Sequence, residues 1–121
     1  MDTTRKLAEN VEAARSPVQL SMGEFQQLRR IGTASAGHAC QGCSQICESR
    51  YEGPVKVARP LRYLMYHECY GETERARERY ARLDPRERAF DDVDFTAASA
   101  ACPQGIDIAA RLRIARKTLE E

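Results

Sequence analysis

Apolar residues recur along this chain at steps of three and four, the spacing that lines one face of an α-helix. Leu7, Val11 and Ala14 set such a face in the first segment, and Pro17 ends it. In "LSMGEFQQLRRI", Ser21 and Glu24 stand in capping-box register ahead of a face made by Phe25, Leu28 and Ile31. The small-residue run "TASAGHACQGC" predicts a loop or hinge. Beyond Pro54, "VARPLRYLMYHECYG" places Leu61, Leu64, Met65 and Cys69 on one broad apolar face. Pro60 falls near the start of that helix, where its missing N–H is tolerated, and Gly71 breaks it. "ETERARERYARL" turns Ala76, Tyr80 and Leu83 inward and stops at Asp84-Pro85. A last helix begins at Asp107, a natural N-cap, and carries Ile108, Leu112, Ala115 and Leu119 on its inner face. No segment alternates as a strand would, and no Asn-Gly or Asp-Gly hairpin occurs. The pattern predicts an all-α fold of about five to seven short helices. Residues 1–36 are expected to form N-terminal helices suited to docking on a partner and 37–121 the main unit, the two making one compact unit overall.

Composition changes this picture little. A 121-residue chain with 42% hydrophobic and 31% charged residues is an ordinary globular composition, enough for one modest core. The net charge of +1 gives no reason to expect a nucleic-acid footprint. No apolar run is long enough to span a bilayer. The opening "MDTTRKLAENVEAA" lacks the apolar core of a secretory signal, so a reducing, cytoplasmic setting is the default expectation. The Arg-rich stretch from Arg75 to Arg88 is interleaved with Glu74, Glu78, Asp84 and Glu87 and reads as a solvated helix face, with a docking surface as the alternative.

The cysteines carry the candidate chemistry. Their number, five, suits a disulfide framework poorly and metal or cluster binding better. Cys40, Cys43 and Cys47 follow the order C-x2-C-x3-C, and Cys102 precedes Pro103 far downstream. A [4Fe–4S] cube takes four thiolates, and the bacterial run C-x2-C-x2-C-x3-C-P supplies three to one cube and its last Cys to the other. Here the local three carry one extra residue before the third, and Cys102 is the distant fourth. In "CPQGIDI", Gly105 lets the backbone turn tightly ahead of the Asp107 cap, which presents the cysteine at a loop end. The ligands of a second cube would fall at Tyr51, Asp92, Phe95 and Ala98, none of which is a cysteine. One complete set of four is present and the other is wholly absent. That is what a working single-cluster site requires, and Tyr51 and Phe95 are expected to fill the second volume. Four thiolates suit a structural zinc equally well, and inert leftover thiols are the bland alternative. Cys69 is expected to be core. His38 and His67 are expected to be ordinary polar or packing residues, and Tyr63, Tyr66, Tyr70 and Tyr80, at helical spacing, to wall the core.

Over almost its whole length the chain resembles the helical, ferredoxin-like C-terminal domain of iron–sulfur members of the aldo/keto reductase family. The carrying residues are "AENVEAA", "LSMGEFQQL", "CQGCSQIC", "LRYLMYHECYGETERARERYARL" and "CPQGIDIAARLRIA". The resemblance implies one [4Fe–4S] cluster on Cys40, Cys43, Cys47 and Cys102. It also implies an accessory role beside a larger oxidoreductase with an aldo/keto-reductase-like barrel. The chain itself has no room for that barrel, so no catalytic residue carries over, and it departs from the family in lacking the second set of cysteines. Two function classes follow: a one-electron carrier subunit, not an enzyme on its own, or an interaction subunit in which a cluster or zinc ion staples short helices.

Overall fold

The computed structural model describes residues 3–120, with Ser35 described by its backbone alone. It is all-helical, with seven α-helices and no strand among the described residues. By internal packing the chain divides into two compact units, Met1–Ala34 and Ser35–Glu121.

The first unit holds α1 (Thr4–Arg15) and α2 (Met22–Ser35). Thr3 caps α1 by accepting from the Lys6 amide at 3.3 Å, and the helix ends at Ser16, before Pro17. Ser21 and Glu24 form the expected capping box. The Ser21 amide donates to the Glu24 carboxylate at 2.8 Å, and the Glu24 amide donates to the Ser21 hydroxyl at 3.3 Å. The predicted apolar stripes exist, but no described residue of this unit is buried. Phe25, Leu28 and Ile31 are 50%, 53% and 65% exposed. Periodicity made these helices legible, but their own packing contributes little to holding them. The expectation of a loop from Thr33 onward is corrected: α2 runs through Thr33 to Ser35. Thr33 is accommodated because its hydroxyl donates back to the Arg29 carbonyl at 2.9 Å.

The second unit contains α3 (Ser44–Cys47), α4 (Ala58–Tyr70), α5 (Thr73–Ala81), α6 (Thr96–Ala100) and α7 (Ile108–Leu119). Single 3₁₀ turns lie at Glu48–Arg50 and Pro85–Arg88. Helices α4, α5 and α7 pack on one another around Leu64, Ala76, Tyr80, Leu83, Ala115 and Leu119. The other ends of α4 and α7 contribute Leu61, Ile108 and Leu112 to a second cluster, with Val55, Val57, Phe90, Phe95, Ala98, Ile106 and Cys47. Every inward position expected on α5 and α7 is buried. Gly71 ends α4 in the left-handed region, φ 67°, where a side chain would be strained.

Two expectations on α4 are corrected. Cys69 is exposed, not core. The inner face runs from Leu64 to Glu68, whose carboxylate meets Arg111 of α7, and Cys69 lies one helical step further round, in solvent. Met65 is only partly buried, for a related reason: α4 buries the stripe through Leu61 and Leu64, which is narrower than the apolar pattern. Of the tyrosines, Tyr80 is buried, Tyr63 and Tyr66 flank the core, and Tyr70 is 62% exposed. Helix α6 was not legible as periodicity. Its short Ala-rich run is started by Asp94, which accepts from the Thr96 amide at 2.9 Å and hydroxyl at 2.6 Å.

Candidate metal centre

The cysteine loop begins after α2 and reaches α3 through Gly42, whose φ of 78° only glycine adopts without strain. The Ser44 amide donates to the Gly42 carbonyl at 2.9 Å, and the Ile46 amide to the Cys43 carbonyl at 3.0 Å. Together these wind Cys43 and Cys47 onto one turn. The second segment is set by α6. The Cys102 amide donates to the Ser99 carbonyl at 3.1 Å, and the Gly105 amide returns to the Cys102 carbonyl at 3.0 Å. Gly105 has φ 63°, as the tight turn before Asp107 requires. The Ser99 hydroxyl accepts from the Ile108 amide at 3.1 Å, and Asp107 caps α7 by accepting from Ala110 at 3.0 Å. Helix α6 packs on α3 and on the following 3₁₀ turn, and this brings Cys102 to the local three.

Cys40, Cys43, Cys47 and Cys102 line one cavity, closed by Val57, Leu61, Pro103, Ile106 and Ile108. All four are free thiols; Cys47 is buried and the other three are partly buried. The space between them is only about 10 Å³, roughly what one water needs. Among the described residues, no group of three or more His, Cys, Asp or Glu side chains is arranged to hold a metal ion. Burial pushes the Cys40 thiol above its ordinary value; the neighbouring Cys43 and Cys102 add to this, against a hydrogen bond from Gly42 and the charge of Arg62. Burial, then Glu48 and Cys40, push Cys47 up to about 11. Both shifts favour the neutral thiol over the thiolate at Cys40 and Cys47.

The four positions of the missing second set are taken up by the fold. Phe95 and Ala98 are core residues, and Asp92 is exposed. Tyr51 stacks edge-on against Phe95 with ring centroids 5.1 Å apart, and its hydroxyl donates to the Val55 carbonyl at 2.9 Å.

Two contributors escaped the sequence reading. Glu48, directly after Cys47, accepts from the Val57 and Ala58 amides at 2.9 and 3.2 Å and lies 3.5 Å from the Lys56 ammonium. It thereby ties the cysteine turn to the start of α4, and a carboxylate suits the positive end of that helix. Arg111 is the one buried charged residue among those described. It forks onto the Glu68 carboxylate and donates to the His38 carbonyl at 3.4 Å, two residues ahead of Cys40. Neither has a local sequence signature, because the partners are 8 to 73 positions away. The His38 ring has no described role at the centre, and the Nδ1 of His67 is hydrogen-bonded to the Thr73 hydroxyl at 2.9 Å. No family model, curated protein or solved structure matches this chain. No helix of the structure is long and apolar enough to cross a membrane.

Proposed function

We propose that Cys40, Cys43, Cys47 and Cys102 hold one [4Fe–4S] cluster, and that the chain serves as the electron-transfer subunit of a larger oxidoreductase. One observation carries this reading: thiols from two segments more than fifty positions apart in the sequence line a single apolar cavity. The donor set fits the group, since four thiolates and an apolar wall are what a low-polarity cubane site requires. Tyr51 and Phe95 support a single cluster, because they occupy the other ligand positions.

When bound, a cubane supplies reversible one-electron chemistry. The protein's part is to exclude water with Val57, Leu61, Ile106 and Ile108, and to hold the Cys40 loop through Arg111 and the Cys47 turn through Glu48. The exposed apolar positions of α1 and α2 support the subunit assignment, and a barrel-type oxidoreductase is the partner that the family resemblance implies. A second reading, that the cluster only staples the fold, draws on how short α3 and α6 are, at four and five residues.

The test is anaerobic purification with iron and sulfide counted per chain, then dithionite reduction followed by electron paramagnetic resonance. About four irons per chain is expected from the cubane stoichiometry, with loss in Cys102→Ser as severe as in Cys43→Ser. Full iron and spectrum in Cys102→Ser would refute the ligand set. Reversible bleaching supports the carrier role, whereas a cluster that resists reduction and whose removal unfolds the chain supports the staple.

A further inference from the structure

Beside the cysteine cavity lies a second, more open groove, and Ala58 forms part of the wall of both. Its other lining includes Gly42 and Ser44, which bracket Cys43, together with Arg59, Arg62 and Arg79. No acidic side chain lines it. Arg59 is ion-paired with Glu87 at 3.2 Å, but Arg62 and Arg79 are exposed and have no carboxylate partner among the described residues. Elsewhere on this unit Arg75 is paired with Glu72, Arg82 with Glu78, Arg88 with Glu120, Arg111 with Glu68 and Arg116 with Asp91, and Arg50, Arg77, Arg86 and Arg113, which have no carboxylate partner among the described residues, do not line this groove. In a chain whose net charge is only +1, two unmatched guanidiniums in one groove are a local asymmetry.

We infer that the Arg59–Arg62–Arg79 groove is the docking surface for an acidic electron-carrier protein, placed where that carrier comes nearest the cysteine centre. This rests on the carrier reading above. Arginine forks match carboxylates in a directional way, and exposed charges of one sign raise the encounter rate of an oppositely charged partner. The three arginines are carried by two helices, α4 and α5, and a protein surface with several carboxylates can engage both. A four-thiolate cubane is itself anionic and would repel an acidic carrier, and the groove supplies the offsetting charge at its rim. Cys43, between the groove-lining Gly42 and Ser44, is only partly buried, as Cys40 and Cys102 are and Cys47 is not.

The test uses the cluster-loaded full chain and photoreduced flavodoxin, an acidic flavin carrier, in stopped-flow at low ionic strength. The variants are Arg62→Glu/Arg79→Glu, the conservative Arg62→Lys/Arg79→Lys, and a control, Arg113→Glu/Lys117→Glu, which makes the same charge change on α7. The groove reversal should slow the second-order transfer about tenfold or more, the difference shrinking as salt screens it, with the lysine pair intermediate. The control should change the rate by less than about threefold. Equal effects of the groove and control pairs, or no effect of either, overturn the docking surface. So does absence of transfer to the wild type while dithionite still bleaches the cluster. Failure of dithionite to reduce any of the chains is the separate outcome that removes the carrier reading, and the docking surface with it.

Discussion

Replacing Arg111 with Met tests whether a half-buried ion pair locks the loop that carries Cys40. The arginine side chain is 11% exposed and that of Glu68 33%. Methionine keeps most of the aliphatic stem, so the loss is mainly the two-pronged contact with Glu68 and the bond to the His38 carbonyl at 3.4 Å. Removing one member of a fully buried pair costs about 3–5 kcal/mol, largely through the stranded charge. Here the stranded group is Glu68, which keeps a third of its surface in water, so about 1.5–3 kcal/mol is expected. Glu68→Gln should cost at least as much. It strands the guanidinium, the less exposed of the two charges, although the amide oxygen can still accept one bond. Their combination should cost less than the sum, with a coupling of about 1–2 kcal/mol. The assay is urea denaturation of the full chain followed by tyrosine fluorescence. The chain has five Tyr and no Trp, and all five lie in the Ser35–Glu121 unit, so the probe does not see α1 or α2 melt. Two single variants each within about 0.5 kcal/mol of wild type and a strictly additive double would show a solvent-screened contact that holds nothing.

Other consequences are quickly checked. The Tyr80 hydroxyl is buried without a hydrogen-bond partner, and burial is the leading reason its ionisation is pushed up. Tyr80→Phe should therefore be neutral or stabilising by up to about 1 kcal/mol, and a loss above about 1 kcal/mol would mean that the hydroxyl is satisfied in solution. Cys69 is exposed, so Cys69→Ser should keep the full iron content and shift the urea midpoint free energy by no more than about 0.5 kcal/mol. In the folded chain a maleimide should label Cys69 far faster than Cys47, and equal rates would contradict this placement. Asp91 is held below the ordinary carboxylate range, chiefly by its hydrogen bonds from Arg116 at 2.7 and 2.9 Å. Because the folded value is the lower one, its contribution is complete above the ordinary Asp value and is lost as pH falls through the lowered value. Asp91→Asn should flatten the acid limb of stability against pH, and an unchanged limb would exclude the linkage.

The sequence by itself determined the helices, because helical periodicity and caps are local. Ser21 with Glu24, Asp107 with Ala110 and Gly71 in the left-handed region all act within four positions of themselves, so reading them needed no tertiary information. The inward face of α7 was equally legible, since one apolar stripe can bury in only one direction. The cysteine spacing also predicted which thiols belong together, and the fold places those four on one cavity. Tertiary structure decided what pattern cannot carry, namely which apolar faces find a partner. The stripes of α1 and α2 read like those of α5 and α7, yet Phe25 remains half exposed while Tyr80 is at 1%. Cys69 continued the apolar pattern of α4 and still ended in solvent, because the packed line passes through Leu64 and on to Glu68, where Arg111 waits. Arg111 with His38 and Glu48 with Val57 are decided by where α7 and α4 lie, not by neighbouring letters. Burial and long-range pairing depend on what another part of the chain brings to the same place, and a residue's own neighbours along the chain contain no record of that.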